Sequence, residues 1–348
     1  MTKGEPTMYA IIDVGSNTVR MNIYKLENGQ FSLVMGKKES VGLASYVKNG
    51  QMLPEGVNRA CEVLTEFRTI LQDLKITNYH VFATAALRNA ANSRAAVEEI
   101  MERTGIKVEV ISGETEAELD FVGASHAVEV TEGLLIDIGG ASTELVVYKD
   151  GEIQKKVSLP IGSLNTYDRY VTNLLPSRAE RKAIKQMVLN LLKQDADLNY
   201  GEYKIVCGVG GTIRAARKLN NYLFQLPIAN TQIKAPNIKK MLKLLENDEG
   251  EAIPVETLEV LLKVVPDRVR TVLPGMIILY TLVKHFRSET IDVTRAGVRD
   301  GYLYHYVLEQ DKGEETEKPI PDPATETEPN DGKEEQEHGS EGETGTRL

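Results

Sequence analysis

Apolar and polar positions along the first half of the chain change over in short bursts that predict strands closed by tight turns. Residues 9–14 (Tyr-Ala-Ile-Ile-Asp-Val) form an apolar run, Gly15-Ser-Asn turns, and 18–25 returns with alternating character, which is the pattern of a β-hairpin. The same order recurs at 133–149, where an apolar run reaches Asp137, turns through Gly139-Gly-Ala-Ser-Thr and returns as Glu-Leu-Val-Val-Tyr-Lys. Asp13 corresponds to Asp137, Gly15 to Gly139, and Tyr24-Lys25 to Tyr148-Lys149. A duplication on the scale of the fold is the simplest source of such a pair, and it predicts two similar halves facing each other.

Between the hairpins, 54–74 reads as a helix, with Pro54 near its start and Val57, Cys61, Leu64, Phe67, Leu71 and Leu74 on one stripe. Strands are expected at 79–84 and 106–112, with helices at 93–103 and 115–127, so the first part is an α/β layer. After the second hairpin and its continuation at 153–158, helices are predicted near 164–174 and 177–194. A strand follows at 203–209, then a largely helical stretch through 308. Leu273-Pro-Gly-Met-Ile-Ile-Leu-Tyr opens an apolar helix whose role is core packing. The length of 348 residues favours two domains, expected at 1–127 and 128–310, with the last helix, about 299–308, packing back on the first.

Charge sharpens this division. Of the formal net charge of -10, residues 311–348 supply 13 acidic and 4 basic side chains, so the body is close to neutral. That segment has almost no large apolar residue and is expected to be a disordered, solubilising acidic tail. The overall charge of -10 argues against nucleic acid as a partner, while the near-neutral body allows Arg and Lys to gather around a polyanion. Cys61 and Cys207 lie in apolar settings and read as buried, non-catalytic thiols. The N-terminal residues lack an apolar leader, and no stretch approaches ~18 consecutive apolar residues, so a cytoplasmic protein without membrane association is expected. His80, His126, His285 and His305 have no metal-ligand spacing and read as packing or surface residues.

Three glycine clusters carry the candidate chemistry. Gly15-Ser16-Asn17-Thr18 and Gly139-Gly140-Ala141-Ser142-Thr143 set small residues where backbone N–H groups can converge on an anion. Gly208-Val-Gly210-Gly211-Thr212-Ile-Arg214 leaves a buried strand and opens a helix, adding a helix N-terminus and an arginine. Asp13 and Asp137 end apolar strands, where a carboxylate needs a divalent cation or a turn backbone as partner. Arg88, just past a strand, is suited to a phosphate oxygen, and Glu114 and Glu116 open the helix beyond the next strand. Arg268, Arg270, Arg295 and Arg299 either line a polyanion path or are solvated surface charges.

The ordered set DVGSNT, ATAALRNA, ISGETEA, DIGGASTE, PIGS, GVGGTIRA and GVRDGYL resembles the exopolyphosphatase/guanosine pentaphosphate phosphohydrolase (Ppx/GppA) family across about residues 8–306. The resemblance implies an α/β fold of two RNase H-like domains of the actin/hexokinase/Hsp70 type with an interdomain cleft. It implies hydrolysis of terminal phosphoanhydride bonds in inorganic polyphosphate, releasing orthophosphate, or in guanosine pentaphosphate. Carried over by position, Glu116 would be the base that orients water, with Glu114 as its substitute. Ser16, Asn17, Arg88 and Gly139–Thr143 would grip terminal phosphates, joined by Gly210, Gly211, Thr212 and Arg214. Asp137 and Glu144, with Asp13 nearby, would hold Mg²⁺.

Two departures from the family pattern stand out. Ala141 occupies a usual glycine position, which costs little if its φ is negative. The helical C-terminal extension of longer members has no counterpart here, so the guidance such an extension gives to long polymers is not expected. A small-molecule kinase on the same fold, a non-catalytic polyphosphate or alarmone sensor, an actin-like assembly protein and a homodimer across the second domain remain open on sequence alone.

Overall fold

The computed structural model describes residues 6–129, 131–195, 198, 201–246 and 252–308. The expected acidic tail at 311–348 lies outside them. The first half contains β1 (Thr7–Val14), β2 (Thr18–Glu27), β3 (Gln30–Ser40), β4 (Val47–Lys48), β5 (Gln51–Met52), α1 (Pro54–Asp73), β6 (Tyr79–Ala83), α2 (Ala85–Arg88), α3 (Ser93–Thr104), β7 (Glu109–Val110) and α4 (Gly113–Ser125). The second contains β8 (Glu132–Ile138), β9 (Thr143–Lys149), β10 (Glu152–Leu159), α5 (Ser163–Tyr170), α6 (Arg178–Gln194), β11 (Ile205–Val209), α7 (Gly210–Leu223), β12 (Gln232–Lys234), α8 (Ala235–Leu244), α9 (Val255–Val264), α10 (Val272–His285), β13 (Thr290–Val293) and α11 (Val298–Tyr302), which runs on as a π-helix over Leu303–Leu308.

Two sheets repeat one plan. In the first, the order is β3-β2-β1-β6-β7, with an antiparallel meander on one side and β6 and β7 parallel to β1 on the other. In the second, the order is β10-β9-β8-β11-β13-β12, again a meander followed by strands parallel to β8, closed by an antiparallel β12. Asp13 and Asp137 therefore sit at equivalent points, each the next-to-last residue of the strand where the meander meets the parallel part of its sheet.

Local chemistry explains the boundaries. The β2–β3 turn is Asn28-Gly29 with φ of 53° and 73°, the left-handed pair that a two-residue hairpin needs, and it carries a third strand beyond the expected hairpin. Pro54 occupies the first turn of α1, where its missing N–H costs nothing. Ser177 and Glu180 cap α6 reciprocally: Ser177 Oγ accepts from the Glu180 amide at 3.3 Å and Glu180 Oε2 from the Ser177 amide at 2.8 Å. Two expectations are corrected. The strand at 106–112 shrinks to the two residues of β7 at the sheet edge. The stretch expected to be largely helical contains β12 and β13, and β13 is an inner strand whose four residues are too short to show a period.

Each sheet is covered on both faces. α1 and α3 bury Leu64, Phe67, Leu71 and Ile100 on the outer face of the first sheet. α6, α7, α8 and α10 form the larger outer core of the second, where Leu273, Met276 and Ile278 pack. α4 turns Ala117, Phe121 and Ala124 onto the inner face of the second sheet. Tyr302, Leu303 and Val307 pack on the inner face of the first, against Ile11 and Phe82. Gly123 of α4 allows close approach to α11, because a Cβ there would overlap the Gly297 carbonyl. Among the described residues, no helix is long and apolar enough to cross a membrane.

Candidate active site

The strand ends of both sheets open into one cleft of roughly 660 Å³ counting its mouth. Its walls are the two hairpin turns and its floor includes the start of α7. Each turn has its carbonyls occupied from behind. Asn17 O accepts from the Val41 and Gly42 amides at 3.1 and 3.0 Å, and Ser16 O from the Ala44 amide at 2.9 Å. Gly139 O accepts from the Ser163 amide at 2.9 Å, and Gly140 O from the Leu164 and Asn165 amides at 2.8 and 3.0 Å. Gly139 N–H donates to Ser142 O at 3.0 Å within its loop; with these carbonyls engaged behind the loops, the other loop amides are the groups left to receive anionic oxygens. The loops also touch: a Cβ on Gly140 would lie 2.9 Å from Ser16 Cβ and 3.0 Å from the Asn17 amide nitrogen.

Thirteen of the residues selected from the sequence line this cleft: Asp13, Gly15, Ser16, Asn17, Thr18, Glu116, Asp137, Gly139, Gly140, Ser142, Gly210, Gly211 and Arg214. Gly210 has φ of 83°, and a Cβ there would overlap the Asp137 carboxylate, so glycine is required on both counts.

Five expected contributors lie elsewhere. Arg88 gives its guanidinium to Glu116 at 2.6 Å and approaches Glu144 at 3.9 Å, and it lines an outer groove with Ser112, Gly113, Glu114, Lys155 and Lys156. It holds a carboxylate where a phosphate grip was expected. Glu114 is exposed at that outer groove, away from the cleft, because the first turn of α4 points it outward. Thr143 is buried and its hydroxyl donates to Ile161 O at 2.5 Å, which fixes the β9 start to the chain entering α5. Thr212 is buried with its methyl against Gly275 of α10, so its side chain serves the core. Glu144 is 1% exposed, faces Asp137 across the β8–β9 ladder and accepts from Ser158 Oγ at 2.8 Å, behind the cleft wall.

Residues that the sequence pattern did not single out complete the site. Arg20, Thr84 and Asp120 line the cleft, joined by Arg268, Arg295 and Arg299. Of the arginines that were open between path and surface, only Arg270 stays outside, stacked 6.0 Å from the Tyr167 ring. Arg20 sits in an otherwise apolar part of its strand opposite Asp13, and a charge in such a run is a signal in itself, since burial demands a partner. Asp120 carries the same signal, four residues after Glu116 among Ala117, Leu119, Phe121 and Ala124.

Two charge clusters meet here. Burial pushes Arg20 down to about 9 and Arg214 down to about 10, with Arg299 adding repulsion to each, and burial also lowers Arg268. None loses its proton at neutral pH; the direction records positive charges that are desolvated and mutually repelling, a state an anion relieves. Arg299 is raised despite its burial because Asp13 accepts from it at 2.9 Å. On the carboxylate side, burial pushes Glu116 up to about 7, partly offset by Arg88. Burial also raises Asp120, Asp137 and Glu144, with repulsion from neighbouring carboxylates contributing.

A model of the Ppx/GppA phosphatase family matches residues 22–310. The chain belongs to the Ppx/GppA phosphatase family. It is 30% identical over 317 residues to the guanosine-5'-triphosphate,3'-diphosphate pyrophosphatase of Pseudoalteromonas translucida, covering 88% of this chain and 61% of that protein, so it spans about three fifths of this curated relative. An exopolyphosphatase from Cytophaga hutchinsonii superposes with a TM-score of 0.77 at 25% identity, over 87% of this chain and 98% of that one. A Ppx/GppA family member from Aquifex aeolicus gives 0.70 at 24% identity, over 88% and 99%, a likeness of fold. The fold is thus the two-domain, RNase H-like architecture of the actin/hexokinase/Hsp70 type, with the cleft between its sheets.

Among the described residues no three His, Cys, Asp or Glu side chains converge as a ready metal cage. A cation that keeps most of its waters needs only one or two carboxylates and the substrate phosphates. Asp137 Oδ1 is buried without a hydrogen-bond partner at the cleft floor, so the residues present fit such an ion. Asp13 is engaged by Arg299 and Glu144 by Ser158.

Proposed function

We propose that the chain hydrolyses the terminal phosphoanhydride bond of inorganic polyphosphate, releasing orthophosphate, and acts in the same way on guanosine pentaphosphate. One observation carries the reading: Glu116, poised at about 7, opens onto a cleft walled by two amide-bearing loops and a set of buried arginines. A base near neutrality suits proton abstraction from water, and the loops and arginines suit the charge on a phosphoryl group in transfer.

In this mechanism the terminal phosphate rests on the Gly15–Thr18 and Gly139–Ser142 loops, with the α7 N-terminus below it. Glu116, oriented by Arg88, accepts a proton from water as the water oxygen bonds to phosphorus. The bridging P–O bond breaks, and its electron pair leaves on the shortened chain, whose charge Arg20, Arg214 and Arg268 balance. Mg²⁺ is the proposed cofactor, held through Asp137, and when bound it would neutralise phosphate charge.

Polyphosphate is the preferred substrate in this reading. A second groove shares Arg20, Arg214, Arg268 and Arg299 with the cleft and continues along Lys37, Lys38 and Lys218. No aromatic side chain lines either cavity among the described residues, so a repeating polyanion finds more partners there than a guanine does.

The test is phosphate release from short polyphosphate, long polyphosphate and guanosine pentaphosphate with Mg²⁺. Wild type should release phosphate, and Glu116→Gln and Glu116→Ala should each lose at least ~100-fold. A wild type that binds these compounds without turnover would replace the hydrolase reading with a sensor.

A further inference from the structure

Asp120 is 0% exposed, lines the cleft, and neither of its carboxylate oxygens has a hydrogen-bond partner. The Asp137 carboxyl and the Val298 amide stand beside it outside good hydrogen-bond geometry. Asp137 Oδ1 is unpartnered as well. Two adjacent buried carboxyl groups repel each other, and their three open oxygens lack the hydrogen bonds that would offset desolvation unless a cation joins them. The one cleft arginine that hydrogen-bonds a carboxylate is Arg299, on Asp13, among the described residues; Arg214 acts on Asp120 and Asp137 through its charge without a hydrogen bond to either.

α4 brings Asp120 to this point. It lies one helical turn beyond Glu116, about 6 Å along the axis, so the same helix face presents the proposed base and a second carboxylate to the cleft. Gly297 stands opposite and leaves the room: a Cβ there would come 3.3 Å from Asp120 Oδ1. Ala117, Phe121 and Ala124 beside it on α4 pack in an apolar cluster, so packing alone does not call for a carboxylate at 120.

The geometry points to Asp120 as a direct ligand of a divalent cation that it shares with Asp137 on the cleft floor. Two carboxylates, waters and phosphate oxygens make the oxygen set that Mg²⁺ or Mn²⁺ takes. The inference deepens the reading of the cleft as a cation-assisted phosphate site and rests on it. It also divides the labour on α4: Glu116 handles the proton, while Asp120 fixes the ion one turn away.

Mn²⁺ alone is the probe, titrated into the full chain and followed by the loss of the free-ion electron paramagnetic resonance signal, with Mg²⁺ as competitor. Wild type and the exposed control Asp73→Asn should bind one ion that Mg²⁺ displaces, and Asp120→Asn and Asp137→Asn should each bind at least ~10-fold more weakly. Thermal melting supplies the fold control. Without metal, Asp120→Asn should melt at or above wild type, because a buried acid with no hydrogen-bond partner beside Asp137 has gone; with Mn²⁺, wild type should gain more than the variant. Equal Mn²⁺ affinity in Asp120→Asn and wild type overturns the proposal, as does a wild type that binds no Mn²⁺. A metal-free Asp120→Asn that melts below wild type also overturns it, since the carboxylate is then satisfied without an ion. If wild type binds Mn²⁺ through Asp120 yet releases no phosphate, the hydrolase reading fails and the ion site stands. If wild type releases phosphate and Asp120→Asn binds Mn²⁺ as wild type does, the ion site fails and the hydrolase reading stands.

Discussion

Arg88 shows how one contact can change a residue's task. Its placement after β6 suits a phosphate ligand, but its guanidinium is committed to Glu116 at 2.6 Å within a partly buried pair. The consequence is a pH dependence. Glu116 must be ionised to accept a proton, so kcat/KM should rise with pH through about 7. The groups acting on it are Arg88, which favours the carboxylate, and Asp137 and Asp13, which oppose it. Arg88→Ala removes the favourable charge, so the acidic limb should move to higher pH, read from pH–rate profiles of phosphate release; an unmoved limb would mean another group titrates. Gly210 is a second single-residue case. Its φ of 83° and its contact with Asp137 predict that Gly210→Ala loses about 1–3 kcal/mol of stability, measured by urea unfolding, and weakens whatever Asp137 binds.

At the scale of elements, the last helical segment ties the halves of the molecule together. Tyr302 stacks on Phe82 of β6 at 5.1 Å with a 15° tilt, and its hydroxyl donates to Glu109 of β7 at 2.9 Å. Arg299, one turn earlier, reaches Asp13 in the cleft. Docking of this segment on the first sheet therefore sets the position of a cleft arginine. Tyr302→Ala should cost about 3 kcal/mol through the lost ring and lower activity with it, while Tyr302→Phe should recover most of both. Activity at the wild-type level in a destabilised Tyr302→Ala would separate the docking from the site.

For the whole molecule, the basic groove beyond the cleft crosses from one sheet to the other. Lys38 of β3 meets Asp267, just before α10, at 2.7 Å, and Lys37 and Lys218 flank the same groove. Exposed ion pairs of this kind add little stability, so their charge is available to a polyanion. The triple variant Lys37→Ala, Lys38→Ala, Lys218→Ala should lower kcat/KM for long polyphosphate by about 10-fold or more, with a smaller loss on tripolyphosphate and a weaker salt dependence. Equal losses on both substrates would remove the groove from the path of the chain.

Local pattern was enough for the hairpins, the Asp13–Asp137 equivalence and the glycine loops, because each rests on neighbours in the chain: apolar alternation and turn residues. It left Glu114 and Glu116 together at one helix start; the family resemblance favoured Glu116, and the fold puts only Glu116 of the two at the cleft. Ala141 also behaves as local rules allow, since it is not among the residues with left-handed backbone. β13 escaped because four residues carry no period and its pairing with β11 is long-range. Arg20 and Asp120 escaped for a related reason: a lone charge in an apolar run states that a partner exists, but not where. Only the packing of α4 between the two sheets decides that Arg88 faces Glu116 and that Asp120 meets Asp137, and only contacts within the second half, to Ile161, Ser158 and Gly275, decide that Thr143, Glu144 and Thr212 turn inward. Burial and direction are properties of the assembled sheets, and a chain read in order contains the residues but not the angles between the elements that carry them.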